Sequence, residues 1–200
     1  GLIFEKINGY KDGSFFTPGF ITMYMCRQTL RMAVVQKFNE VKGWQCNNLD
    51  DLYDNIEDRN EANQIVNSLR ICDPAVGSGH FLVSALNELI AIKHDLKILQ
   101  DRQGRRLKEY QISIDNDELI VTDEDGHPFT YKPGNAESQR LQETLFHEKQ
   151  TLIENCLFGV DINPNSVKIC RLRLWIGDQV RGRSHRSRST TRRRQSCRLV

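Results

Sequence analysis

The chain has 200 residues, of which 38% are hydrophobic and 27% are charged, the composition of an ordinary soluble protein with one domain. No apolar run approaches the ~20 residues of a membrane-spanning helix. No basic segment precedes an apolar one at the N-terminus, so no secretory signal is predicted. The net charge of +2 combines a body of −5, over residues 1–176, with a tail of +7, over residues 177–200. The chain does not begin with Met, which is compatible with a fragment.

The cysteine pattern argues against both a zinc site and a disulfide framework. Six cysteines are present: Cys26, Cys46, Cys72, Cys156, Cys170 and Cys197. No two of them have C-x-x-C spacing. Cys72 and Cys156 lie in apolar, strand-like patterns, which predicts buried free thiols. We therefore expect a reducing, cytoplasmic location, no structural disulfide and no metal site.

The N-terminal segment, residues 1–68, is predicted to be mainly helical. Apolar residues recur at helical intervals over residues 18–38. Thr17 before Pro18 is typical of an N-cap followed by proline in the first helical position. The spacing therefore predicts a helix that begins at Pro18 or the next residue and is capped by the Thr17 side chain.

A polar, acidic stretch follows at residues 39–59. It contains a short helical pattern at about residues 49–56. Its carboxylates lack the spacing of a calcium-binding loop, so we interpret them as a solvated face rather than a metal site. A further helix at residues 60–68 is expected to lead into the first strand.

The strongest local pattern is a short apolar strand that ends in a carboxylate, followed by a glycine loop and an amphipathic helix. Residues 69–72 form the strand, Asp73 ends it, Gly77 and Gly79 lie in the loop, and residues 81–92 form the helix. This layout is typical of a nucleotide-binding turn, but it matches neither the G-x-G-x-x-G fingerprint nor the P-loop. Asp73 would repel a phosphate and attract an ammonium group, which favours S-adenosylmethionine. The alternative is a plain turn that Asp73 caps.

A strand-rich insert is predicted at about residues 108–133. Residues 110–114 and 118–122 alternate with period two, and a third short strand is predicted at 128–131. We interpret the three strands as a small β-meander. Its charge is acidic, which favours a structural elaboration over a DNA contact. The next pattern, at residues 137–155, is helical.

A second apolar strand also ends in a carboxylate. Residues 156–162 read as a buried parallel strand with Asp161 near its end. Asn163 and Pro164 are suited to begin the helix that continues to residue 176. In a doubly wound sheet the ligand lies across the carboxyl ends of the strands, so Asp161 is placed to accept hydrogen bonds from ribose hydroxyls. The alternative is a turn carboxylate without a ligand.

Three motifs together resemble adenine-specific DNA methyltransferases, and most closely those of type IIG restriction–modification enzymes. They are Phe16-Thr17-Pro18, residues 73–82 (Asp-Pro-Ala-Val-Gly-Ser-Gly-His-Phe-Leu) and residues 159–164 (Gly-Val-Asp-Ile-Asn-Pro). The resemblance covers residues 13–176. It implies an α/β, Rossmann-like fold, S-adenosylmethionine as cofactor, double-stranded DNA as partner and methylation of adenine N6.

The resemblance also implies a set of cofactor contacts. Asp73 would hold the methionine ammonium, the Gly77–Gly79 loop would pass beneath the cofactor, Asp161 would hold the ribose, and Ile162 would pack against the adenine. The remaining implied cofactor-binding residues are Thr17, Pro18, Ala75 and Phe81. The fold expected from these motifs is an incomplete methyltransferase fold, with an N-terminal helical segment, a core at residues 69–176 and the β insert.

The catalytic motif of that family, Asn-Pro-Pro-Tyr or a close variant, does not occur in this sequence. Asn163-Pro164 follows the second strand without an aromatic residue, so we interpret it as a helix start. Catalytic residues are therefore not assigned, and the chain alone is expected to transfer no methyl group. A non-catalytic remnant that still binds S-adenosylmethionine is the alternative. With two core strands recognisable, we expect marginal stability. The sequence does not define an oligomeric state.

Residues 177–200 differ in character from the rest, because they contain eight arginines and one aspartate. One interpretation is a basic tail that binds nucleic acid through phosphate contacts. The other is a segment that is not native to the fold, such as the product of a shifted reading frame, and the abrupt change within one helix favours it. Either way the tail is predicted to be disordered.

Overall fold

The computed structural model describes residues 17–132 and 134–176. The helices are α1 (Gly19–Lys42), α2 (Leu49–Asn55), α3 (Arg59–Asn67), α4 (His80–Asp95), α5 (Ala136–Cys156) and α6 (Pro164–Ile176). The strands are β1 (Ile71–Asp73), β2 (Tyr110–Asp115), β3 (Glu118–Asp123) and β4 (Leu157–Gly159). Phe16 and the arginine-rich tail, with its two interpretations, lie outside the described residues. None of the described helices is long and apolar enough to cross a bilayer.

Helix α1 begins as expected, but the proposed cap is wrong. Pro18 occupies the N-cap position, and no side chain caps the helix. The Pro18 carbonyl accepts the first N–H bonds, from Ile21 at 2.9 Å and Thr22 at 3.2 Å. The helix also runs past the predicted end at residue 38. It stops where Gly43, with φ 68°, donates its N–H to the Asn39 carbonyl, a glycine C-cap.

The acidic stretch caps helices. The Asn48 side chain accepts from the Asp51 N–H at 2.9 Å and begins α2. The Asp58 side chain accepts from the Asn60 N–H at 2.7 Å and begins α3. These bonds satisfy N–H groups that a helix start leaves without partners, which explains why polar residues cluster here.

The two predicted core strands are neighbours. β1 and β4 pair in parallel, with Ile71 opposite Leu157 and Asp73 opposite Gly159. Parallel pairing requires a crossover, and it is supplied by α4, the insert and α5. β4 is shorter than predicted: α5 includes Cys156 and passes directly into the strand, and the strand ends at Gly159, before Asp161.

Two details of the strand prediction are wrong. Cys72 is exposed rather than buried, since it is the middle residue of β1 and points to the opposite face from its half-buried neighbours. Cys156 is buried, as expected, but it is the last residue of α5 and not part of the strand.

The insert is a β-hairpin rather than a three-stranded meander. β2 and β3 pair antiparallel over six residue pairs, from Tyr110–Asp123 to Asp115–Glu118. The segment predicted as a third strand forms an isolated bridge between Pro128 and Thr122, and Phe129 donates its N–H to the Val121 carbonyl at 2.8 Å. Pro128 has no N–H to donate, which prevents a continuous ladder there.

Helix α4 is the centre of the core. Leu82, Leu89, Ile90 and Ile92 are all fully buried along its length. It packs against α1 and also against β2, α5, α6 and β4. A buried ion pair joins α4 to α5, with Lys93 Nζ 2.5 Å from Glu148 Oε2. A buried charge that loses its partner is strongly destabilising, so this ion pair fixes how the two helices face each other.

The loop after α4 is tied to α5 through Asp101. Its carboxylate accepts backbone N–H bonds from Gln103 and Arg105, both at 2.9 Å, and a guanidinium bond from Arg140 at 2.7 Å. Burial of Asp101 disfavours its charged form, but these hydrogen bonds outweigh the burial and lower its pKa from the ordinary value of 3.8 to about 2.

The lowered pKa of Asp101 gives a pH dependence of stability. A carboxyl group with a depressed folded-state pKa stabilises the fold above its unfolded-state pKa, and this contribution is lost as the pH falls through its folded-state value. We expect Asp101→Asn to lower the free energy of unfolding by a constant amount above pH ~4, with the difference shrinking as the pH falls toward ~2. Urea unfolding of both proteins across this range measures it. A difference that is independent of pH would contradict the assignment.

Candidate cofactor site

The carboxyl ends of β1 and β4 meet at one edge of the parallel pair. The Val160 N–H donates to the Asp73 carbonyl at 2.9 Å, and the Val76 N–H donates to the Val160 carbonyl at 2.9 Å. Backbone pairing therefore continues beyond the strands and into the glycine loop. Both strand-end aspartates are thereby brought to the same edge, beside the loop that separates β1 from α4.

Asp161 connects the loop to the start of α6. Its Oδ2 accepts the Gly77 N–H at 2.8 Å, and its Oδ1 accepts the Asn163 N–H at 2.7 Å. The Asn163 side chain accepts in turn from the Asn165 N–H at 2.9 Å, which confirms Asn163 as the start of this helix. Each carboxylate oxygen has two acceptor positions, so Asp161 can hold the loop and still accept a ligand hydroxyl.

Asp73 is half-buried at the end of β1. Its Oδ1 accepts the Ala75 N–H at 3.0 Å, the bond expected of a turn cap. The cap and the ligand contact are compatible, because a carboxylate has four acceptor positions. The local charge near this edge is negative on the α1 side as well. Burial and, in decreasing order, the charges of Asp117, Glu88 and Asp73 together raise the pKa of the Cys26 thiol from 9.0 to about 12.

Backbone shape favours glycine at both loop positions, and lack of space requires it at Gly79. Gly77 and Gly79 have φ of +50° and +87°, a region that residues with a Cβ rarely occupy. A Cβ at Gly79 would lie 2.5 Å from Cys170 Sγ and 3.3 Å from Cys170 Cα. Helix α6 therefore crosses directly against the loop at this point.

Two α6 residues that support the loop were missed by sequence reasoning. Cys170 is fully buried against Gly79. Arg173 donates from Nη1 to the Ser78 carbonyl and to Ser78 Oγ, both at 3.2 Å. No motif marks these residues, because the contact spans more than 90 positions in the sequence. The helical periodicity of α6 was the one available signal, and it identifies a buried face without naming its partner.

Helix α1, which follows Thr17-Pro18, packs against the start of α4. Thr22 Oγ1 lies 3.2 Å from Ser84 Oγ on α4, and Cys26 Sγ lies 3.7 Å from the Phe81 carbonyl. The first two turns of α1 thus contact the first two turns of α4. Thr17 is half-buried and Pro18 is exposed.

The other predicted cofactor residues differ in accessibility. Ala75 is exposed, and Ile162 is fully exposed, at 102% of its reference area. Phe81 is partly buried and packs against the hydrophobic core. Full exposure leaves Ile162 free to contact a flat ring, whereas the buried part of Phe81 acts in packing.

A possible metal-binding arrangement occurs elsewhere among the described residues. Oxygen or nitrogen atoms of Asp123, Asp125 and His127 lie within 4.8 Å of one another after β3. However, Asp123 Oδ1 already accepts the N–H groups of Asp125 at 3.1 Å and His127 at 2.8 Å. The group is therefore explained as a turn stabilised by its own backbone.

The chain is an α/β protein, because its parallel strands are joined by helices. The glycine loop and the two aspartates at one edge of these strands form a candidate nucleotide site. The MmeI DNA-methyltransferase domain model matches residues 49–196. The chain therefore belongs to this family of DNA-methyltransferase domains, which confirms the resemblance to restriction–modification methyltransferases. The matched region begins at α2, so the Thr17-Pro18 motif lies outside it.

A curated relative agrees with the family. The chain is 31% identical over 196 residues to a protein of Methanocaldococcus jannaschii whose name describes it as a candidate type II restriction enzyme and methyltransferase. The alignment covers 88% of this chain and 13% of the relative, so the chain spans about an eighth of that protein's length. No solved structure matches the chain significantly.

Proposed function

We propose that this chain is the cofactor-binding part of a DNA adenine-N6 methyltransferase that uses S-adenosylmethionine and belongs to a restriction–modification system. The observation that carries the proposal is the bond between Asp161 Oδ2 and the Gly77 N–H at 2.8 Å. This bond joins the end of the second strand to the glycine loop after the first. The two carboxylates and the loop thereby lie at one edge of the strand pair, the carboxyl edge at which ligands of doubly wound sheets bind.

The residues present fit an S-adenosylmethionine molecule. Asp73 offers free acceptor positions to the methionine ammonium, and Asp161 offers them to the ribose hydroxyls. Ile162 offers an exposed apolar surface to the adenine. Gly77 and Gly79 lack side chains that would keep the ligand from the loop. When bound, the cofactor supplies an electrophilic methyl group, and the role of these residues is to bind and orient it.

We further infer that the β1–β4 pair belongs to a Rossmann-like sheet. The parallel register and the crossover through helices support this inference. DNA as substrate follows from the family, and adenine follows from the resemblance of the motifs. Since the sequence has no Asn-Pro-Pro-Tyr, we infer that this chain alone transfers no methyl group.

A comparison of two ligands tests the proposed binding mode. S-adenosylmethionine carries the methionine ammonium, whereas methylthioadenosine keeps the nucleoside and lacks the amino acid. We expect Asp73→Asn to weaken binding of S-adenosylmethionine by about tenfold, since a hydrogen bond to a charged group is worth ~1.5–3 kcal/mol. The same variant should leave methylthioadenosine binding unchanged. Isothermal titration of the full chain measures both affinities.

The controls follow from the geometry. Asp54→Asn, an exposed carboxylate on α2, should change neither affinity. If wild-type protein binds neither ligand at millimolar concentration, the proposed function is wrong. If Asp73→Asn weakens both ligands equally, the protein binds the nucleoside but Asp73 does not hold the ammonium.

A further inference from the structure

The tip of the β2–β3 hairpin lies against the start of α4, the helix that follows the glycine loop. Asp117 Oδ1 accepts the hydroxyl of Ser84 at 2.6 Å, and the Asp117 carbonyl accepts the Asn87 side-chain amide at 2.9 Å. Asp117 Oδ2 also lies 3.9 Å from His80 Nδ1. These α4 residues are four and three positions apart, so they share one face of the helix.

The contact continues through the helix to α1. Thr22 and Ser84 are buried, at 0% and 3% exposure, and their hydroxyl oxygens are 3.2 Å apart. Thr22 Oγ1 donates to the Gly19 carbonyl at 2.8 Å. Each hydroxyl has one hydrogen, which Ser84 donates to Asp117 and Thr22 donates to the Gly19 carbonyl, so the two hydroxyls contact each other without a hydrogen bond between them. Loss of Asp117 would leave the buried Ser84 hydroxyl without this acceptor, which is costly.

The residue at the second position of the hairpin turn, Asp117, is not the one that would strain the turn least. Asn116 and Asp117 have φ of 48° and 63°, the left-handed region that two-residue hairpin turns require. Glycine would be the least strained choice at the second position. Asp117 instead carries a carboxylate into a mostly buried environment, with 14% of its side chain exposed. Burial raises the pKa of Asp117, and the Ser84 hydrogen bond opposes this shift. The site therefore holds a carboxylate that the hairpin itself does not need.

We propose that Asp117 is a positioning residue for the cofactor loop, an inference that rests on the proposed function. By fixing Ser84 and Asn87, it sets the rotation and depth of the first two turns of α4. The loop is continuous with these turns, since the Gly79 carbonyl accepts the Val83 N–H at 3.0 Å. Asp117 thereby fixes the loop amides relative to Asp161. The insert then acts on the cofactor site indirectly, because Asp117 holds the helix that follows the glycine loop.

The inference is tested with the full chain and three variants. Asp117→Ala removes the acceptor for Ser84, so S-adenosylmethionine should bind about tenfold more weakly by isothermal titration. Asp117→Asn keeps an oxygen acceptor for the Ser84 hydroxyl, so its affinity should lie within about threefold of wild type. Asp125→Ala, an exposed carboxylate at the other end of the hairpin, should bind as wild type does.

Hydrogen exchange gives a second readout that needs no ligand. In Asp117→Ala, the amides of Gly79 and Val83 should exchange about tenfold faster, while the Leu152 amide in α5 should be unchanged. If Asp117→Ala does not fold, Ser84→Ala removes the same hydrogen bond from the opposite side and should give the same result.

Three outcomes would overturn the inference: unchanged affinity and exchange in Asp117→Ala, equal loss of affinity in Asp117→Asn and Asp117→Ala, or faster exchange throughout α5. A wild-type chain that binds no S-adenosylmethionine would refute the proposed function instead. Hydrogen exchange at Gly79 and Val83 would then still decide whether Asp117 supports the loop.

Discussion

Replacing Asp161 with alanine should weaken binding of S-adenosylmethionine by about 100-fold. The ribose has two hydroxyls, and each hydrogen bond to a carboxylate is worth ~1.5–3 kcal/mol. The substitution also removes the acceptor for the Gly77 and Asn163 N–H groups, so the loop loses its connection to α6. Unlike Asp73→Asn, this change should weaken methylthioadenosine to a similar extent, because both ligands carry the ribose.

Asp161→Asn is the informative intermediate. An amide keeps one oxygen acceptor, but its nitrogen would face a backbone N–H group that now has no acceptor. We expect an affinity between those of wild type and Asp161→Ala. Far-ultraviolet circular dichroism at the titration temperature checks that each variant is folded. A folded Asp161→Ala protein with wild-type affinity for both ligands would show that this carboxylate holds no ribose.

Gly79→Ala should lower the free energy of unfolding by about 2–4 kcal/mol. Part of this cost, ~1 kcal/mol, arises from placing a side chain at φ +87°. The remainder, ~1–3 kcal/mol, arises from overpacking, because the new Cβ would lie 2.5 Å from Cys170 Sγ. Since the loop must shift to relieve the contact, cofactor affinity should also fall. Urea unfolding and titration measure the two effects.

Gly126 provides a matched control. Its φ of +81° is close to that of Gly79, but no atom lies within 4 Å of a Cβ at this position. Gly126→Ala should therefore show the backbone cost alone, ~1 kcal/mol.

Cys170→Ala should partly relieve the effect of Gly79→Ala, since it removes the nearest atom and leaves Cβ at 3.1 Å. Strict additivity of Gly79→Ala and Cys170→Ala would show that the contact with Cys170 is not the cause.

The accuracy of the sequence-based predictions depended on how far apart the interacting residues lie in the chain. The start of α6 at Asn163 was predicted correctly, because its cap bond spans two residues. The Thr17 cap was wrong, since proline at the next position took the cap role through its carbonyl. The prediction of a third strand in the insert was wrong. Period-two alternation describes only side chains, whereas the strand is interrupted because Pro128 has no backbone N–H.

The exposure of Cys72 could not be predicted for a different reason. Its strand is apolar on both sides in sequence, which is typical of a parallel strand covered by helices on both faces. In the described residues one face of the β1–β4 pair is open, so Cys72 is exposed. The burial of a strand residue depends on which helices or strands pack on each face, and a local sequence pattern does not show this packing.

The sequence by itself determined the local chemistry of the site: a carboxylate at each strand end, two glycines between the first strand and its helix, and the order of these features along the chain. Such features are read locally, because they depend on backbone preferences over a few residues. The tertiary structure alone decided that Asp161 bonds to the Gly77 amide, that Cys170 requires Gly79, and that Asp117 bonds to Ser84. These contacts join residues 33–91 positions apart, and they exist because the crossover from β1 to β4 closes a single core around α4.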